Sequence, residues 1–243
     1  MMKTLRNILF IVVLALSVNS CQAQFFWSHT KLYDNVQYGL LYNLYAATDS
    51  RNIAASGWHV PTNAEFITLQ TYLGGATVAG GKLKETGLTY WGSPNTGATN
   101  EAMYNGRGAG YRNESGTFVN INTDAFFVAS DGFGVSLYYR RLSSVTGSLI
   151  GSGSGIPMNM GSSIRLIKNS TTLTHGQTGT YTGNDGKIYR TICIGTQEWL
   201  ADNLCETKYR NDDLIPEVTD NAAWAALTTG ALCAYDNDWN NAY

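Results

Sequence analysis

Apolar residues recur along this chain with three different spacings, and each predicts a different element. An unbroken apolar run over residues 8–16 follows Lys3 and Arg6. It is too short to cross a hydrocarbon core of roughly 30 Å and has the positive flank of a secretory signal, so residues 1–23 are read as a signal peptide outside the fold. From Thr62 the spacing becomes helical. Phe66, Leu69, Tyr72 and Leu73 share one face, Thr62 and Glu65 have capping-box spacing, and Gly74-Gly75 stops the helix. A short second helix is predicted over 81–85, and a third over 220–227, capped by Thr219 or Asp220 and stopped by Gly230. Period-two alternation marks strands over 187–194, 135–142 and 163–167, the last fitting a central strand. Asp185-Gly186 supplies a hairpin turn into 187–194, with Ile188, Ile192 and Ile194 on one face and Tyr189, Thr191 and Cys193 on the other. Short strands with a few short helices and long loops give an α+β fold class.

Composition narrows the setting. Only 14 % of residues are charged, with 26 Gly and 15 Tyr, a balance read as that of an extracytoplasmic, loop-rich protein. A net charge of -2 offers no long-range attraction to nucleic acid or anionic lipid, and neither is expected as a partner. Val18-Asn19-Ser20-Cys21 is similar to a bacterial lipobox, which would leave Cys21 lipidated as an N-terminal membrane anchor; cleavage after Ala23 is the other reading. The chain is expected at the cell surface as a lipoprotein, or secreted. Beyond Cys21 lie Cys193, Cys205 and Cys233, enough for one bridge and one free thiol. Their spacing matches no metal site, and no CxxC is present.

Four segments follow the signal: a leader over 24–31, an aromatic-rich block over 32–168, a Thr/Gly-rich linker over 169–180 and a second block over 181–243. Strings in the first block, Tyr38-Gly39-Leu40-Leu41-Tyr42-Asn43, Ser56-Gly57-Trp58-His59-Val60-Pro61-Thr62, Ala79-Gly80-Gly81-Lys82-Leu83-Lys84-Glu85 and Gly110-Tyr111-Arg112-Asn113, resemble the Fibrobacter succinogenes major paralogous domain. The second block, with Asp185-Gly186-Lys187-Ile188-Tyr189, Ile194-Gly195-Thr196-Gln197-Glu198-Trp199 and Ile215-Pro216-Glu217, resembles the beginning of that same domain. Tyr235-Asp236-Asn237-Asp238-Trp239 and Tyr33-Asp34-Asn35-Val36-Gln37 read on from end to start as one pattern. The resemblance therefore implies a circularly permuted domain, with its C-terminal two-thirds at 32–168 and its N-terminal third at 181–243. It also implies a C-type-lectin-like fold of the formylglycine-generating-enzyme kind. Cysteines that the family often carries are replaced by Ala54 and Leu166, so packing must supply the roughly 2–5 kcal/mol that such a bridge contributes. Phe66 stands where that fold usually has Trp, and Phe126-Phe127-Val128-Ala129-Ser130 where the family has Trp-Trp-Ser-Ser.

Candidate chemistry is sparse. His59 is the one histidine in a motif and precedes a helix cap, so a structural role is expected rather than a base; Glu65 and Glu85 belong to helices. No Ser-His-Asp set can be assembled, no catalytic residue is assigned, and no activity as an enzyme is expected. Asp34-Asn35, Asn211-Asp212-Asp213 and Asp236-Asn237-Asp238 are oxygen-rich, but none has the spacing of a calcium loop; turn chemistry is the favoured reading over Ca²⁺, and no cofactor is expected.

Residues 121–161 form the candidate ligand surface: Asp131 and Phe133, then Tyr138-Tyr139-Arg140-Arg141, the Gly/Ser run with Ser152, and Asn159. Tyr and Arg supply contact area, while Gly and Ser supply adaptability. With Tyr138 and Leu142 inward, Tyr139 and Arg141 are expected outward. Diversification of this segment is a further reading, opposed by the long block that follows it. Two functions are carried forward: a recognition module for an extracellular glycan or protein, and an assembly subunit whose second block completes a neighbouring chain. A linker of ten flexible residues reaches roughly 15–20 Å, which favours self-completion. An unfinished second copy is a third reading, and it would leave Trp199 and Trp224 exposed.

Overall fold

The computed structural model describes residues 36–133, 136–151 and 155–243. The signal segment with Cys21, the leader and Ser152 lie outside the described residues. In the first block, β1 (Leu41–Tyr42) and α1 (Leu44–Ala47) lead to β2 (Trp58–His59), α2 (Asn63–Tyr72) and α3 (Ala76–Leu83). Strands β3 (Ala109–Arg112), β4 (Phe118–Ile121), β5 (Asp124–Phe133), β6 (Ser136–Ser143), β7 (Thr146–Gly151), β8 (Ile156–Pro157) and β9 (Ile167–Lys168) complete it. The second block holds β10 (Thr178–Thr182), β11 (Ile188–Ile194), β12 (Gln197–Leu200), α4 (Asn221–Ala225) and β13 (Leu232–Cys233). The class is α+β, mostly sheet with few helices.

Both blocks contribute to two of the three sheets. One sheet runs β10-β11-β12-β9-β2, so strands of the second block pair with strands of the first at Trp199↔Ile167. The pair β1-β13 repeats this, with Leu41 opposite Cys233. A six-stranded sheet, β4-β3-β5-β6-β7 with β8 on β6, is built from the first block alone. The start of the described chain is held by the last residues: the Gln37 and Tyr38 amides donate to the Ala242 and Asn241 carbonyls at 3.2 and 3.0 Å. Two main cores form, and each takes side chains from both blocks. Tyr42, Val60 and Leu166 meet Tyr189, Leu200 and Leu204 in one; Phe66, Phe127 and Leu142 meet Ile192, Ile194 and Trp199 in the other. Trp199 and Trp224 are fully buried, contrary to the exposure an unfinished copy would give. Ala54 and Leu166 are both fully buried in the first core, so apolar packing occupies the positions where the resemblance places a bridge.

The α2 start is as its sequence dictates. Thr62 accepts from the Glu65 amide, and Glu65 reaches back to the Thr62 amide at 2.8 Å. Thr62→Ala is expected to lower stability by about 1 kcal/mol in denaturant unfolding, with a loss below a few tenths meaning that the cap is redundant. Tyr72 is 50 % exposed, where the helical pattern placed it inward. Its ring covers Gly195, at which a Cβ would lie 2.9 Å from Tyr72 Cδ2.

Other expectations shift. The helix expected at 81–85 is α3, which begins at Ala76. Gly80 and Gly81 weaken the local signal, and both are required because a Cβ there would lie 2.2 and 2.1 Å from the Ser148 and Gly97 carbonyls. Residues 162–166 cross the interior making isolated bridges, such as Phe127↔Ser163, rather than a regular strand, and only Ile167–Lys168 is a strand. The Thr-rich stretch read as a linker ends inside β10, where Thr178–Thr182 pairs with β11; β-branched Thr suits a half-buried strand as well as a loop. α4 is capped by the Asp220 side chain, which accepts from the Ala223 amide. It ends before Gly230, which instead allows close approach of the Tyr209 hydroxyl. On β11, Ile192 and Ile194 turn into one core and Tyr189 into the other, while Arg190 is exposed and Ile188 is half-buried.

Candidate functional site

Strand register brings the candidate surface together. Phe126 on β5 lies opposite Arg141 on β6, and Arg141 lies opposite Ile150 on β7. Tyr111, beside Phe126 on β3, and Tyr139, two residues before Arg141, point to the same face. Tyr111 and Tyr139 pack on either side of Phe126, with ring centroids 4.8 and 5.2 Å from it. Phe126 is buried beneath them, while Tyr111, Tyr139, Arg141 and Ile150 are half-buried. The result is an aromatic face with one guanidinium at its edge.

Arg141 is held in place. Its Nε donates to Asp124 Oδ1 at 2.8 Å, and the other Asp124 oxygen accepts from Asn120 Nδ2 at 2.7 Å. Asp124 is 2 % exposed on its side chain and Arg141 35 %, so the carboxylate is a buried anchor and the guanidinium reaches the surface. The Tyr111 and Tyr139 hydroxyls make no hydrogen bond within the described residues.

Asp131 and Asn159 serve the scaffold instead. Asp131 is exposed and accepts from the Asn63 amide at 2.6 Å, capping the start of α2. Phe133 closes β5 opposite Ser136. Asn159 is tied to the scaffold, donating to the Glu114 and Ala225 carbonyls at 3.1 Å each. Arg140 is buried on the opposite face over the Phe66 ring, and Tyr138 is half-buried. Sequence reasoning missed Asp124, Asn120, Tyr111 and Ile150 as parts of this face. Alternation along β5 carried a signal for Asp124, two residues before Phe126, but the cross-strand neighbours depend on register.

Other charged motif residues serve the framework. Lys84 is buried and donates to the Thr96, Ser143 and Thr146 carbonyls at 2.8–2.9 Å; burial pulls its pKa down to about 8. Arg165 is buried and donates to the Tyr104, Asn105 and Leu200 carbonyls and to Asn203 Oδ1. His59 meets Asn169 Oδ1 through Nδ1 at 2.7 Å and Glu65 through Nε2 at 3.0 Å. Two acceptors favour the doubly protonated ring, and the Glu65 carboxylate raises its pKa above the ordinary value. An open pocket of about 240 Å³ beside it is lined by Thr48, Asp49, Asn52 and Ser130. A more apolar cleft of about 350 Å³ lies between Met103, Asn105, Thr178, Arg190 and Ile192. Among the oxygen-rich turns, Asp238 accepts from the Asn240 amide and Asp213 pairs with Arg51. No group of three or more His, Cys, Asp or Glu side chains able to hold a metal occurs among the described residues. Cys193, Cys205 and Cys233 are buried free thiols, and no helix among the described residues is long and apolar enough to cross a membrane.

These features define an α+β domain whose two sequence blocks share two sheets and whose first block carries an aromatic face on a third. The chain belongs to the Fibrobacter succinogenes major domain family, whose model matches residues 12–168. No curated protein and no solved structure matches it.

Proposed function

We propose that this protein is a non-catalytic recognition module of C-type-lectin-like architecture, carried outside the cytoplasm as a lipoprotein or in secreted form, that binds a glycan. The observation that carries the reading is the Tyr111–Phe126–Tyr139 cluster with Arg141 anchored beside it. Half-buried tyrosines present rigid contact area with a polar tip, and little rotamer entropy is lost when a ligand covers them. A protein ligand would use the same face. The apolar run after Lys3 and Arg6 supports export. Permuted order is supported by the Gln37–Ala242 and Tyr38–Asn241 hydrogen bonds and by the sheet that both blocks share. Pairing of Trp199 with Ile167 inside one chain supports self-completion over exchange between chains.

Glycan and protein array screening of the exported chain tests the reading. Binding should fall about tenfold or more in Tyr139→Ala, the cost of removing one central aromatic contact. Array signals that are unchanged by Tyr139→Ala would remove this face from the function.

A further inference from the structure

The face that carries the recognition reading also indicates its ligand class. We infer that it takes an acidic sugar, a hexuronic-acid unit, whose carboxylate is received by the two terminal nitrogens of Arg141 while the ring lies against Tyr139 and Tyr111. This inference rests on the recognition reading and goes further by naming the charge the ligand must carry.

Three observations support it. Among the described residues Arg141 hydrogen-bonds only through Nε, to Asp124, and both Nη groups are without a partner there. A guanidinium presents parallel N–H donors whose spacing matches a carboxylate, and charge-assisted bonds of this kind are roughly twice as strong as those to a neutral hydroxyl. Secondly, the guanidinium cannot swing away freely. Asp124 is buried, its second oxygen is satisfied by Asn120, and the Arg141 Cζ stands 5.9 Å from the Phe126 ring centroid. An Arg fixed in this way loses little side-chain entropy when a ligand binds. Thirdly, the charge is bordered by aromatic rings rather than by other cations. Tyr139 lies two residues away on the same strand, and Tyr111 lies across Phe126; neither hydroxyl is used within the described residues. A lone anion would gain nothing from these rings. A pyranose offers C–H groups to the ring faces, hydroxyls to the phenols and, when oxidised at C6, a carboxylate to the arginine. Asp124 is the positioning residue, since it touches Arg141 and not the ligand.

Calorimetric titration of the exported chain with oligogalacturonate, oligoguluronate and oligomannuronate, and with the methyl ester of whichever binds, tests the assignment. Esterification removes the charge but keeps the ring and its linkage. Uronate binding should weaken about tenfold or more on esterification and in Arg141→Gln, and severalfold in Arg141→Lys, which keeps the charge and a partner for Asp124 but loses the fork. Matching thermal unfolding of Arg141→Lys and the parent keeps the comparison sound if Arg141→Gln folds poorly. Equal affinity for acid and ester, or for parent and both Arg141 variants, overturns the acidic assignment; Tyr139-dependent binding of a neutral glycan would then leave the recognition reading standing. Arg141-dependent binding of a poly-glutamate peptide with no uronate binding overturns the sugar. Loss of all Tyr139-dependent glycan binding overturns both readings.

Discussion

Arg112→Ala is expected to remove about 3–5 kcal/mol of stability and to release the segment around Trp224 from the six-stranded sheet. The guanidinium is fully buried and donates to the Gly116, Val218 and Thr219 carbonyls at 2.8, 2.5 and 2.8 Å, and to Asn221 Oδ1 at 2.9 Å. It lies between the Phe118 and Trp224 rings, 4.7 and 4.4 Å from their centroids. Three of its acceptors belong to the second block, so one side chain of β3 fastens the approach to α4 against the first block. Alanine would strand four acceptors in the interior, each costing on the order of 1 kcal/mol or more, and would open a cavity beside Trp224. Lysine keeps the charge but cannot satisfy four acceptors spread around a planar fork, so it should rescue little. Denaturant unfolding followed by tryptophan fluorescence measures both effects. A loss under about 1 kcal/mol, or full rescue by lysine, would show that the clamp contributes little.

The second large effect is a dependence on pH centred on Glu206. This carboxyl is fully buried; one oxygen accepts from the Asp185 amide at 3.0 Å and the other has no hydrogen-bond partner among the described residues. Burial is the main influence, and the neighbouring Asp185 carboxylate adds to it; together they raise the pKa from 4.5 to about 7. Tyr181 on β10, Tyr189 on β11, Tyr42 on β1, Cys205 and Lys187 surround the group. Because the folded protein holds this proton more tightly than the unfolded chain, the stabilisation is complete below about pH 4.5. It is lost as pH rises to about 7, after which the curve is flat. The loss should approach about 3 kcal/mol, since each tenfold difference in proton affinity between the folded and unfolded chain is worth about 1.36 kcal/mol. Urea unfolding between about pH 4 and 8 should show this fall in the parent and not in Glu206→Gln, so the variant gains relative stability above neutrality. Parallel curves for the two proteins would mean that Glu206 ionises without opposition. Gly183 is part of the same device: a Cβ there would lie 1.8 Å from Glu206 Oε1, so a side chain at 183 would displace the carboxyl.

Both effects come from ionisable groups that the sequence presents as ordinary motif letters. Arg112 sits in a Gly-Tyr-Arg string and Glu206 in a Cys-Glu-Thr string, and neither string shows which carbonyls or carboxylates will face them. Three of the partners of Arg112 lie roughly a hundred residues away, and the Asp185 partner of Glu206 about twenty. Asn159 illustrates the same point in reverse. Its position after a Gly/Ser run suggested a ligand contact, but two distant carbonyls take both of its amide hydrogens.

What the sequence determined by itself is what depends on a few neighbouring residues. The Thr62–Glu65 capping box, the turn at Gly186 with φ +85°, the Asp220 cap and the outward reach of Arg141 all follow from spacing within one turn or one strand. Family membership was legible for the same reason, because its motifs are short strings. Tertiary structure alone decided the rest. It placed 162–166 as an irregular segment through the interior and made the end of a Thr/Gly stretch into β10. A glycine needed for close packing, as at Gly80 and Gly81 in α3, reads locally as a helix breaker. Which tyrosines reach the surface beside Arg141 was set by strand register, a long-range property that no local pattern encodes.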